Sequence, residues 1–295
     1  MRGSWSNKSG WAQLSLLLLW IIIGTVLFSA LWYVMLLLYH GSTAVTEVST
    51  DMLRLMQLLS ALGTFLLPAW MLAYFCSEES RQYLSIGALP TLKQTLLTAL
   101  CMLLFLPVIS FAEHLNSLLV LPEFLAPVEE WMKEQERVAE ELSLRFLADT
   151  DWLHILFNLL VIAVCAAICE EFFFRGALQR IIGKWSSNPH TIIWVVAIVF
   201  SAIHLQFYGF LPRMMMGALF GYFLLWGRNI WIPVIAHFTN NALVVLAMSD
   251  SSLKENKYVN GDITDVPLYL TAIVAVIGLC LFIPAVRKLR RELQA

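Results

Sequence analysis

The sequence predicts an all-α fold: a polytopic membrane helical bundle of about eight transmembrane helices, with one amphipathic helical segment near 122–147. Three observations predict it. Of the 295 residues, 59% are hydrophobic and 14% charged, against about 45–50% and about 25% in soluble domains, and the mean hydropathy is +0.74. The apolar residues fall into long runs, several of them reaching the roughly 20 residues that cross a bilayer. Lys and Arg stand before the first run and after the last, so the charges support an even number of crossings.

Taken in order, the spans read as about 12–39, 53–76, 92–112, 152–181, 190–208, 211–227, 230–249 and 266–286. The first run is far longer than the 7–15 apolar residues of a signal-peptide core, so it reads as a retained span. The fifth and sixth are short and close together, with "QFYGFLPR" as the weakest boundary. Arg2 and Lys8 precede the first span and "RKLRREL" follows the last. An even number of crossings with both termini cytoplasmic accounts for that placement and for Lys184 and Arg228 in inside turns. The connections at 40–52, 113–151 and 250–265 then lie outside.

Residues 122–147 form the one long polar stretch, with Trp131, Val138, Leu142 and Phe146 near helical spacing among Glu and Lys. That pattern predicts an amphipathic helix at the membrane surface or capping the bundle. A solvated connector is the simpler reading than a substrate gate. No repeat or second soluble domain interrupts the chain, which reads as one integral membrane domain over 1–295. The net charge of −2 gives no reason to expect nucleic acid as a partner. The five cysteines lie in or beside apolar runs without a CxxC pair, so they read as small buried hydrophobes rather than a disulfide framework. In "PRMMMGALFG" the small residues suit close helix packing.

Ionisable residues at bilayer depth are costly and mark functional sites, and here they are confined to the second half of the chain. The fourth span carries Glu170, Glu171 and Arg175 in "EEFFFRG"; the fifth carries Phe200 and His204 in "FSAIH"; the seventh carries His237 and Asn241 in "HFTNN". Spacing of four puts Glu171 with Arg175, and His237 with Asn241, on shared faces. Glu170 is turned by about 100° from Glu171, so the two carboxylates have different roles. A lone histidine or Glu–Arg pair is more often a packing tie. Two carboxylates, two imidazoles and a carboxamide on three spans would need several unrelated costly burials, and one shared polar site is the simpler account. No GxSxG turn or HExxH signature is present. What remains is a carboxylate that can take a proton from water and donors for a developing oxyanion, the parts needed for hydrolysis of an amide.

The three motifs, in this order on successive apolar segments, resemble EExxxR, FxxxH and HxxxN of the CPBP family, the CAAX proteases and bacteriocin-processing proteins also called Abi. The resemblance covers about residues 150–250, an expected catalytic core, and leaves the first 150 residues and the last span without a motif. It implies an intramembrane endopeptidase of the type II CAAX prenyl endopeptidase kind. Glu170 and His204 would activate the attacking water, His237 and Asn241 would stabilise the oxyanion, and Glu171 and Arg175 would support the site. Whether a metal takes part stays open: if zinc is bound, Glu170, His204 and His237 are the ligands, and the reading leans toward none held tightly and no other cofactor. The partners implied are the lipid bilayer and a membrane protein or peptide substrate, lipidated or not, in a prokaryotic cytoplasmic membrane. The rival readings are a non-enzymatic membrane partner or self-immunity protein and, behind it, a proton-coupled transporter. A transporter often has two related halves, which this chain lacks.

Overall fold

A computed structural model describes residues 1–40, 48–250, 253 and 266–294. All regular structure among the described residues is helical. The helices used below are α1 (Gly10–His40), α2 (Thr50–Cys76), α3 (Leu92–Ser117), α4 (Ala126–Phe146), α5 (Trp152–Ile182), α6 (Pro189–Ala202), α7 (Phe210–Gly227), α8 (Trp231–Ser249) and α9 (Leu268–Gln294). Seven of them are long and apolar enough to cross a membrane. The protein is an integral, multi-pass membrane protein.

The local sequence sets the helix boundaries. Ser49 and Asp151 cap α2 and α5 by accepting from backbone N–H groups of their first turns. Thr91 and Gln94 form a reciprocal capping box on α3. Asn188 caps α6, where Pro189 takes the first turn, the position that needs no donor. Two long helices are not uniformly α: α2 widens into a π segment at Leu62–Leu66, and α5 does so twice, at Leu159–Cys165 and Phe172–Leu178.

The fifth expected span, 190–208, differs from expectation. It is realised as the 14-residue α6, about 21 Å long at 1.5 Å per residue, because the chain leaves the helix at 203–209. It still joins the two ends of the bundle. Its start follows the turn carrying Lys184, whose Nζ donates to the carbonyls of Ser6 at 3.2 Å and Lys8 at 3.1 Å. Its far end leads to Phe207, whose carbonyl accepts from Asn116 at the end of α3 at 2.8 Å.

One end of the bundle thus gathers the N-terminus, the 77–91 connection, the ends of α5, α7 and α9, and the starts of α3 and α8. Trp5 N–H donates to Phe75 O at 2.8 Å, Ile230 N–H to Ser85 O at 2.9 Å, and Lys93 pairs with Glu292 at 2.5 Å. Arg2, Lys8, Lys184, Arg228 and the α9 cations share this end, as the charge reading expects. The loops at 40–52 and 250–265 fall largely outside the described residues. At the other end sits α4, with its i,i+3 and i,i+4 ion pairs Lys133–Glu129 and Arg137–Glu134. It caps the bundle there: Trp131 packs on Phe207 with ring centroids 5.3 Å apart, and Phe146 is buried.

Apolar side chains face outward as well as inward. Ile22, Val26 and Leu27 of α1 and Ile273, Val274 and Ile277 of α9 are exposed, a lipid-facing surface rather than a defect. Glycines allow the closest crossings. A Cβ on Gly24 of α1 would lie 2.0 Å from the Gly63 carbonyl of α2. Gly217 of α7 sits against Ala197 and Phe200 of α6, with 3.2 Å from an added Cβ to the Ala197 Cα. The small residues of "PRMMMGALFG" act as helix-packing positions.

Candidate active site

The polar residues singled out in the sequence lie on three neighbouring elements: α5, the end of α6, and α8. Arg175 and Glu171 are 1% and 0% exposed. Their pairing is intrahelical: Arg175 Nη1 donates to Glu171 Oε1 at 2.8 Å. Arg175 Nη2 donates to the Gly217 carbonyl of α7 at 2.8 Å. The guanidinium also lies over the Phe200, Phe220 and Phe174 rings, at 4.6, 5.3 and 5.8 Å from their centroids. Arg175 thus pairs with a carboxylate one turn away on its own helix.

The two glutamates approach different nitrogens of one imidazole. His237 Nδ1 is 2.9 Å from Glu171 Oε1; a carboxylate only accepts, so Nδ1 carries a proton. His237 Nε2 is 3.9 Å from Glu170 Oε2. That Glu170 oxygen is buried and has no hydrogen-bond partner. Phe220 stacks on the His237 ring at 5.1 Å and 19°, and Phe200 meets it edge-on at 6.0 Å. The ring is therefore held through Nδ1 and on its face, with Nε2 turned toward Glu170.

His204 lies just past the C-terminus of α6. Its Nδ1 donates to the Phe200 carbonyl at 2.8 Å; a carbonyl cannot donate, so the proton is on Nδ1 and the Nε2 lone pair is left free in the neutral ring. The next residue, Leu205, has φ 55, an uncommon conformation for a branched side chain. Strained backbone of this kind persists where the surroundings over-determine it, here in the turn that carries His204. Asn241 Nδ2 donates to the Ile162 carbonyl at 2.9 Å, and its Oδ1 accepts from Asn240 Nδ2 at 3.2 Å. Ile162 lies in the first π segment of α5, where the wider turn leaves carbonyls free for outside donors. Asn241 thus ties α8 to α5 and keeps one amide hydrogen unused.

As placed, the donor set does not fit zinc. Among the described residues no group of three His, Cys, Asp or Glu side chains is arranged to hold a metal ion, whereas zinc sites use three or four protein ligands. Glu170, His204 and His237 are not brought together as a ligand trio.

Sequence reasoning missed three contributors: Gly217 as carbonyl acceptor, Phe220 as the ring under His237, and the π segments of α5. It also missed a second buried cation. Arg54 is 0% exposed and binds Asn158 Oδ1 at 2.8 Å, the Phe146 carbonyl at 2.7 Å and Asp51 at 2.6 Å. This cluster joins α2, α4 and α5 at the α4 end. An arginine one residue inside an apolar run was the available signal. Of the cysteines, Cys76, Cys101, Cys165 and Cys169 are buried and Cys280 is exposed, all as free thiols.

Residues 152–243 match the family model "Type II CAAX prenyl endopeptidase Rce1-like". An uncharacterised protein of Bacillus subtilis (strain 168), YpbD, is 28% identical over 109 residues, covering 36% of this chain and 51% of that protein. The chain thus spans about half the length of the curated relative it matches. No solved structure gives a significant match. The six candidate site residues all lie between 152 and 243, the segment that matches this family model.

Proposed function

We propose that the protein is an intramembrane endopeptidase that hydrolyses a peptide bond of a membrane-embedded or lipid-attached substrate. One observation carries the reading: the buried, unpartnered Glu170 Oε2 faces His237 Nε2 across 3.9 Å, within a segment of a protease family. A water about 2.8 Å from both atoms would make two hydrogen bonds of ordinary length. Glu170 takes a proton from that water as its oxygen attacks the scissile carbonyl carbon. His204, with its Nε2 lone pair, is the second acceptor. Collapse of the tetrahedral intermediate breaks the C–N bond, and the proton passes from Glu170 to the leaving amine.

The oxyanion falls to His237 and Asn241. Asn241 has a free amide hydrogen for it. His237 donates from Nε2 only as imidazolium, since Nδ1–H is held by Glu171, and the Glu171 carboxylate is the counter-charge for that form. No zinc is required by this account, and CAAX-type or bacteriocin-type processing are both compatible with it. Comparing the membrane peptidome of cells carrying wild-type protein with that of cells carrying Glu170→Ala tests the proposal. Fragments that disappear with the variant support it, and identical peptidomes contradict it.

Asn241→Ala separates catalysis from packing. Removing an oxyanion donor lowers kcat by about 10²–10³, and losing an interhelical hydrogen bond in a membrane costs about 0.6–2 kcal/mol. Both effects are expected, because Asn241 Nδ2 already serves the Ile162 carbonyl. Turnover per folded molecule and melting temperature should fall together, with KM nearly unchanged. A lower melting temperature with unchanged kcat would leave Asn241 as a packing residue, the reading that a non-enzymatic partner predicts.

Placement in the membrane follows from charge. The end holding Arg2, Lys8, Lys184, Arg228 and the α9 cations faces the cytoplasm of a prokaryotic cell, and α4 faces the opposite side. Ser143 is exposed on α4. In a Cys280→Ser background, Ser143→Cys should react with an impermeant thiol reagent added outside. Labelling only from the cytoplasmic side would reverse the assignment.

A further inference from the structure

At the cationic end, the 77–91 connection, the end of α5 and the end of α7 line an open cavity of about 710 Å³. Arg81, Arg180 and Arg228 line it, with Glu79 the one acidic lining residue. Arg180 is committed to the fold: its Nη2 donates to the Gln82 carbonyl at 3.1 Å and to Ser85 Oγ at 3.0 Å. The guanidinium groups of Arg81 and Arg228 make no hydrogen bond or ion pair with any described residue. Excess positive charge thus gathers at the cavity without partners among the described residues.

The backbone is strained at the same place. Only three described non-glycine residues have positive φ, and two of them line this cavity, Ser85 at 57 and Arg228 at 48. Arg228 ends α7 in the left-handed conformation where glycine is the usual choice. Strain retained in two lining residues, one of them a free arginine, points to a use for the side chain. Leu224 and Leu225 form an apolar wall beside the arginines, and Leu89 and Leu92 of the adjoining connection are 77% and 74% exposed. Cations beside an apolar wall, at the ends of membrane-crossing helices, match the two parts of a phospholipid.

We infer that this cavity binds the phosphate headgroup of an anionic phospholipid, with the acyl chains running along the Leu225 wall. Basic pockets between transmembrane helices on the cytoplasmic side take such headgroups. Inorganic phosphate shares the charge but lacks the chains. The site adjoins the candidate active site through the fold: Arg180 follows Arg175 on α5, and Ser85 O accepts from Ile230 N–H at the start of α8, the helix of His237.

The test uses the full chain purified in neutral detergent. Retained lipid is measured by native mass spectrometry and the melting temperature is recorded. The additions are phosphatidylglycerol, chain-matched phosphatidylcholine, or inorganic phosphate at equal ionic strength. Phosphatidylglycerol should be retained and raise the melting temperature, and the other two should not. Arg81→Ala with Arg228→Gly should weaken phosphatidylglycerol binding by about 30-fold, and Arg81→Ala alone by about fivefold. Arg228→Gly should by itself raise the lipid-free melting temperature, since glycine relieves the left-handed strain. Equal retention of phosphatidylcholine, an equal shift from inorganic phosphate, or wild-type affinity in Arg81→Ala would overturn the inference. The readout is lipid binding, so it stands or falls independently of peptidase activity.

Discussion

Glu170→Gln is expected to abolish peptide cleavage while leaving the protein folded and inserted. Glutamine has nearly the same shape, so the packing around position 170 is kept, but an amide cannot accept the proton that water must lose. A positioned general base contributes about 10²–10⁴ in rate, and the loss should appear in kcat rather than KM. The Glu170 oxygen that faces His237 makes no internal hydrogen bond, so removing its charge leaves no donor stranded and the melting temperature should hold or rise. Purified variant with near-wild-type turnover per folded molecule would remove Glu170 as base.

The second large effect is on stability. Arg175→Leu strips the cation from Glu171, which is 0% exposed, and leaves the Gly217 carbonyl without its donor. Breaking a buried pair by removing one partner costs about 3–5 kcal/mol, because an uncompensated charge stays behind. Most of the variant should therefore fail to fold, or unfold at markedly lower temperature in detergent. Arg175→Lys would not restore the anchor, since one ammonium cannot reach both acceptors in the fork geometry of a guanidinium. Replacing both members, Glu171→Leu with Arg175→Leu, should recover much of the stability and none of the activity. Arg175→Leu melting within about 1 kcal/mol of wild type would show that the pair is not the site's anchor.

The helical bundle was legible because bilayer thickness imposes long apolar runs, and the site was legible because ionisable groups stand out within them. The pairing of Glu171 with Arg175, and the different directions taken by Glu170 and Glu171, followed from helical spacing. The contributions of Gly217 and Ile162 did not, because both act through backbone carbonyls and any side chain at position 162 would offer the same acceptor. The π segments of α5 were also hidden, since one extra residue in a turn leaves an apolar run unchanged in composition. Phe220 read as an ordinary core aromatic. Only the placement of α7 against α8 sets it under the His237 ring. The length of α6 is hidden in the sequence because the apolar residues of the 203–209 turn extend its run without extending its helix.

The intrahelical pairing of Glu171 with Arg175 has a consequence for biogenesis. The chain emerges from the ribosome in order, so α5 must partition into the bilayer before α7 brings Gly217 and α8 brings His237. A single charge at a helix centre costs about 2.5–3.5 kcal/mol on insertion. Because its partner is four residues along the same helix, Arg175 can neutralise Glu171 while α5 is still alone, and the apolar remainder of α5 carries the pair in. Glu170 lacks such a companion and can shed its charge only by taking up a proton. The residue proposed as the general base is thus the one that would cross the translocon carrying a proton.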